Sequence, residues 1–184
     1  MYAGHFAAGL AIKARVPQAP TAALLVGVAL LDLLFGPFVL LGIERIHPTP
    51  GQPPGFSLDY IDWSHSLLMA LVWSVVFAAF FLKRGRVVVL SIAFAVFSHF
   101  LLDLLMHPGD LALWPGSAAH LGFGIWRWQP SGWWWFELGF IALCSAYYLA
   151  RARRLQSFGG RGLWVCAVVL VLHVVNSPWL TPAG

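Results

Sequence analysis

The sequence predicts an all-α fold: a polytopic membrane helix bundle of about five transmembrane helices, preceded by a short N-terminal half-spanning or re-entrant helix. Three observations predict it. Hydrophobic residues make up 60% of the 184-residue chain and charged residues only 10%, where a soluble domain has about a quarter of its residues charged. The apolar residues fall into runs close to the ~20 residues that a hydrocarbon core requires. The eleven Lys and Arg residues cluster beside those runs rather than along one polar surface, which is the pattern of a membrane protein and not of a nucleic-acid binder.

The opening "MYAGHFAAGLAI" is apolar but too short to cross a bilayer as a helix, hence the half-spanning or re-entrant reading. It lacks the charged start and small-residue cleavage site of a secretory signal, so the whole chain reads as mature. Spans are expected at about 20–43, 64–82, 87–107, 134–150 and 162–180, forming one integral membrane domain over 1–184. Lys13 and Arg15 precede the first span, and Lys83, Arg84 and Arg86 separate the second and third. Arg151, Arg153, Arg154 and Arg161 separate the fourth and fifth. An odd number of spans puts all three groups on one side, predicting a cytoplasmic N-terminus and an extracytoplasmic C-terminus. Outer loops at about 44–63 and 108–133 are rich in Pro and Gly, so no regular element of any length is expected there. Trp133, Trp134 and Trp135 stand where the fourth span enters the membrane, the place of an aromatic belt. Cys144 and Cys166 lie inside apolar runs and read as small core residues, not a disulfide.

The stretch "FSHFLLDLLMHPGD" carries His99, Asp103 and His107, spaced four apart on one helix face. One ionisable group in hydrocarbon costs about 2.5–3.5 kcal/mol on insertion scales, so three imply a use. Asp32 falls mid-way along the first span, His65 opens the second with Asp62 a turn before it, and Glu137 enters the fourth. At ~1.5 Å per residue, Asp32 lies roughly 20 Å and His99 about 18 Å above the cytoplasmic boundary, with Asp103 and His65 about 6–9 Å higher. A shared depth allows convergence. His and Asp at i and i+4 can give two ligands to one metal, and imidazole with carboxylate suits Zn²⁺, Mn²⁺ or Fe²⁺. A metal with an open position activates water, and Asp62 and Glu137 are the candidate catalytic carboxylates that would accept its proton. Plainer readings stand beside these. His99–Asp103 also reads as an interhelical hydrogen bond, His107 as a partner of the helix-terminal carbonyls, and Asp62 as a helix cap competing with Ser64. His173 reads as a packing residue with Asn176 one turn on, while His47 and His120 carry no signal.

Four motifs in order carry a resemblance: "GH" (Gly4, His5), Asp32, "SHSLL" (Ser64 to Leu68) and "SHFLLD" (Ser98 to Asp103), followed by "ALWPGS" and "GFGIW" leading to Glu137. Over roughly residues 4–137 the chain resembles the bacterial inner-membrane proteins known as membrane-bound metal-dependent hydrolases. The resemblance implies that His5, Asp32, His65, His99 and Asp103 form a metal-binding constellation, to which His107 is added as a further metal candidate. Where relatives commonly carry Pro-Asp-x-Asp-His, this chain reads Leu31-Asp32-Leu33-Leu34-Phe35, and Tyr60 and Ile61 replace a His-Arg pair. With Lys13 at the boundary, eight residues lift His5 by about 12 Å, short of Asp103 and His65. Two metals, or one metal with supporting partners, are therefore expected.

The expected function is that of an inner-membrane hydrolase using zinc, with manganese or iron as alternatives, on a lipid-like or amphiphilic ester or phosphoester near the outer leaflet. Membrane lipids and partner subunits are the expected partners, and nucleic acid is not. Two other classes remain open: a non-catalytic structural or assembly subunit of a larger membrane complex, and an ion or proton pathway. Against the last, the chain shows no inverted repeat and no polar groups in the cytoplasmic halves of its spans.

Overall fold

The computed structural model describes residues 1–49, 56–128, 131–155 and 161–180. The Pro- and Gly-rich centre of the first outer loop, residues 50–55, lies outside them, as do residues 129–130 of the second. Seven α-helices are described: α1 (Ala3–Arg15), α2 (Thr21–Leu40), α3 (Asp62–His65), α4 (Leu67–Ala79), α5 (Arg86–Met106), α6 (Gly132–Leu155) and α7 (Arg161–Val175).

The short first helix occupies the middle of the molecule. One face of α1 packs Ala3, Ala7, Leu10 and Ala14 against Ile141, Cys144 and Tyr148 of α6 and Val169 of α7. Ile12 joins a second cluster with Leu24 and Val28 of α2 and Ile92 of α5. Small residues make this position possible, because backbones approach closely only where no bulky side chain intervenes. A Cβ on Gly9 would stand 3.3 Å from the Val28 side chain.

Two helices, α2 and α5, are long and apolar enough to cross a membrane, with 20 and 21 residues and mean hydropathies of 2.4 and 2.2. The expected second span is broken instead. Ser66 takes an extended conformation (φ −75°, ψ 156°) and caps α4 by accepting the Met69 N–H at 3.3 Å. This leaves His65 at the end of the single turn of α3, aimed by the break rather than by a continuous helix. α4 and α7 are shorter apolar helices, and α6 carries Glu137, Arg151, Arg153 and Arg154 along its 24 residues.

The outer loops are more regular than their composition predicts. Strands β1 (Arg45–Pro48) and β2 (Phe56–Tyr60) pair antiparallel, with an irregularity between Arg45 and Ile46. Strands β3 (Leu111–Ala112) and β4 (His120–Leu121) form a second, two-residue pair. Pro and Gly interrupt strands without preventing short ones, and an exposed His47–Asp59 contact of 2.6 Å bridges the first pair. The second loop is laced onto the end of α5: Phe123 N–H donates to Leu104 O and Gly124 N–H to His107 O, both at 2.8 Å. Gly122 is required there, since a Cβ would lie 2.3 Å from the His107 carbonyl oxygen. Of the Trp cluster, Trp134 is buried against α7 and Trp135 is exposed. Both cysteines are free.

The α2–α5 crossing supplies a packing test. A Cβ on Gly27 would sit 3.3 Å from the Ala95 Cβ, whereas one on Gly36 meets nothing within 4 Å. Gly27→Val is expected to destabilise the protein by about 1–3 kcal/mol through overpacking, with Gly36→Val close to neutral, as read by unfolding in detergent.

Candidate metal centre

Donor side chains from three helices gather in one part of the bundle. Asp32 comes from mid-α2, His65 from the end of α3, and His99 and Asp103 from successive turns of α5. His99 Nε2 lies 3.0 Å from Asp103 Oδ2 and 3.6 Å from Asp32 Oδ1. His65 Nε2 lies 3.7 Å from Asp103 Oδ2 and 3.5 Å from Asp32 Oδ1. A cation held at ~2.0–2.2 Å by four tetrahedral donors places those donors about 3.3–3.6 Å apart. These four of the six separations bracket that value, and the side chains able to share one ion fall into two overlapping groups, Asp32 with His65 and His99, and His5 with His99 and Asp103. The side chains of His65, His99 and Asp103 are buried, while Asp32 is 50% exposed and forms the open side of the cluster.

What stands behind each imidazole decides which nitrogen faces inward. His99 Nδ1 lies 2.7 Å from the carbonyl oxygen of Val28, which can only accept, so Nδ1 carries a proton and, in the neutral ring, Nε2 keeps the lone pair. That lone pair faces two carboxylates and has no hydrogen-bond partner among the described residues, an arrangement a cation would satisfy. His65 Nδ1 lies 2.6 Å from Ser64 Oγ. The Ser64 hydroxyl in turn donates to the Glu44 carboxylate, 2.9 Å from each oxygen, and the Ser64 N–H donates to Glu44 Oε1 at 2.7 Å. Glu44 is 1% exposed. Burial raises its carboxyl above the usual value, and the hydrogen bonds from Ser64 act in the opposite direction.

His5 reaches Asp103 from the other side. Its Nε2 lies 3.2 Å from Asp103 Oδ1, and the Met1 amino group lies 3.0 Å from the same oxygen. The expectation that His5 falls short of Asp103 took Lys13 as a boundary marker. Lys13 instead turns back onto the carbonyls of Pro17 and Ala19, at 2.6 and 2.7 Å, so its charge does not hold α1 at the surface. The His5 ring stacks on that of His99 with centroids 3.8 Å apart and planes within 4°. His5, His99 and Asp103 thus form one of the two groups that could hold an ion, with Asp103 Oδ2 toward His65, His99 and His107. His107 Nε2 lies 3.9 Å from Asp103 Oδ2, at the rim, with its Nδ1 2.8 Å from Asp110 Oδ1.

A family model described as YdjM inner membrane protein matches residues 62–180. The chain belongs to this family. No curated protein and no solved structure matches it. The YdjM match covers Asp62, His65, His99, Asp103, His107 and Glu137, while His5, Asp32 and Glu44 precede it. Membership sets the chain among inner-membrane proteins, in keeping with the two helices of spanning length.

In this YdjM-family chain the two expected catalytic carboxylates are engaged elsewhere. Asp62 Oδ2 accepts the Gly116 N–H at 2.8 Å and pins the second outer loop to α3. Glu137 Oε1 accepts the Gly4 N–H at 2.8 Å and so caps the buried start of α1, with His173 Nδ1 3.7 Å from its other oxygen. His173 is also stacked on Trp134 at 4.4 Å, so it has the charged companion that its sequence context did not reveal. Sequence reasoning missed Glu44 and Asp110. Asp110 carried a local signal, standing three residues after His107. Glu44 had none, because its partner Ser64 is twenty residues away across the first loop.

Removing the Glu137 cap leaves a buried N–H without an acceptor. Glu137→Ala is expected to destabilise the protein by about 1–3 kcal/mol, with Glu137→Gln, which keeps an oxygen for Gly4, losing less. Thermal unfolding with amide exchange at Gly4 checks both.

Proposed function

We propose that this chain is an integral-membrane metal-dependent hydrolase acting on a lipid-like or amphiphilic ester or phosphoester near the outer leaflet. One observation carries the reading: His65 Nε2 and His99 Nε2 each lie 3.0–3.7 Å from an Asp32 and an Asp103 oxygen, and the buried His99 Nε2 has no hydrogen-bond partner among the described residues. His65, His99 and Asp103 would hold a divalent transition metal, zinc first and manganese or iron as alternatives, with the fourth position open beside Asp32, because imidazole and carboxylate donors favour these ions. When bound, such an ion supplies Lewis acidity and lowers the pKa of water in contact with it.

The chain's own residues supply the rest. His5 holds Asp103 Oδ1, while Val28 O and Ser64 Oγ hold the outer nitrogens of His99 and His65. Asp32 is the exposed carboxylate of the set, so accepting a proton from water falls to it rather than to Asp62 or Glu137, whose oxygens already accept backbone N–H groups. The open side lies on α2 beside exposed Leu33 and Leu40, which suits a substrate with an acyl chain. In this reading α4, α6 and α7 also cross with α2 and α5. The spans then number five, with the basic connections and the N-terminus cytoplasmic and the C-terminus extracytoplasmic.

Purified protein is expected to carry about one equivalent of transition metal, measured by mass spectrometry of the elements. His99→Ala and Asp103→Ala are expected to weaken binding by more than about 100-fold, and His173→Ala to leave it unchanged. Full occupancy in the first two variants overturns the proposal.

A further inference from the structure

From the contacts behind His65 we infer that Glu44 is a positioning residue for the metal centre, acting through Ser64 to fix which nitrogen of His65 faces the donor cluster. This rests on the metal reading of that cluster. A carboxylate can only accept, so Glu44 draws both the N–H and the hydroxyl proton of Ser64 toward itself. The hydroxyl proton is then committed, and Ser64 Oγ can offer His65 only a lone pair. Across the 2.6 Å contact His65 Nδ1 must therefore be the donor. In the neutral ring that is the single N–H, and Nε2 is left bare toward Asp32 and Asp103.

The arrangement is buried and reaches across elements. Glu44 and Ser64 are 1% and 0% exposed. Glu44 immediately precedes β1 and Ser64 lies in α3, so the base of the outer hairpin is clipped to the turn that presents His65. A hydroxyl alone would orient the ring either way, because it can donate or accept with equal ease. The carboxylate removes that freedom. Carboxylates that back a metal-ligating histidine directly act in the same manner, and here the serine is interposed.

Glu44→Gln tests this closely. Its amide oxygen still accepts the Ser64 N–H, but its NH₂ donates to Ser64 Oγ and releases the hydroxyl proton toward His65. The tautomer then reverses and Nε2 is protonated. In full-length protein in detergent, titrated with cobalt(II) chloride and followed by ligand-field absorption, Glu44→Gln and Ser64→Ala should each weaken affinity about 10–100-fold. The double variant should be no weaker than either single one, since both break one chain of contacts. Ser64→Thr, which keeps the hydroxyl, should recover most of the affinity, and Asp59→Asn on the exposed part of the hairpin should leave it unchanged. In the metal-free protein, ¹⁵N shifts should show His65 protonated on Nδ1, and on Nε2 in Glu44→Gln. Unchanged His65 shifts in Glu44→Gln, or cobalt affinity within about twofold of wild type, overturn the role of Glu44. Wild-type protein that takes up no cobalt sinks the metal reading instead, while the shifts still decide the tautomer.

Discussion

Everything in this bundle turns on the Asp103 carboxylate. A carboxylate buried among apolar helices carries a desolvation penalty of several kcal/mol unless its oxygens are answered. Asp103 is answered on both. Oδ1 faces the Met1 amino group and His5 of α1, and Oδ2 faces His99 on its own helix, His65 of α3 and His107 at the end of α5. Partners separated by up to 102 positions in sequence converge on one side chain. Removing it would take a shared partner from four imidazoles at once, so the carboxylate fixes how α1, α3 and α5 meet. That demand explains why a helix of only thirteen residues runs through the centre of the protein.

The same constraint underlies the proposed metal centre. An imidazole can bind a cation only through a nitrogen that carries no proton, and burial alone does not decide which nitrogen that is. Here acceptors set behind the rings decide it: the Val28 carbonyl for His99, the Ser64–Glu44 pair for His65 and Asp110 for His107. The bare nitrogens of His65 and His99 face carboxylate oxygens at distances suited to a shared cation, and Asp32 leaves one side open. Fold and site are thus one arrangement of polar groups seen twice.

Much of this was legible in the sequence. The long apolar runs of α2 and α5 mark two helices of spanning length, and polar residues at matched depth within them single out Asp32, His99 and Asp103. The i, i+4 spacing places His99 and Asp103 on one face, as the structure shows. Other features carried no local signal. The Ala- and Gly-rich start reads as too short to cross, because hydropathy counts length and not whether a neighbour covers the helix. The break at Ser66 depends on one cap within an otherwise apolar run. Glu137 looks like a catalytic carboxylate until the Gly4 N–H is seen to occupy it. Glu44, beside a loop rich in Pro and Gly, looks exposed until the hairpin folds it onto α3. In each case the deciding partner lies far away along the chain, beyond the reach of spacing rules.

The most direct test of the centre is X-ray absorption at the zinc edge on the zinc-loaded, full-length protein. Four nitrogen or oxygen neighbours at about 2.0–2.1 Å, with the outer-shell scattering of two imidazole rings, are the expected result. A shell of about six oxygens with no imidazole scattering would show an ion bound to exposed carboxylates and water, and would contradict a centre built from His65, His99 and Asp103 beside Asp32.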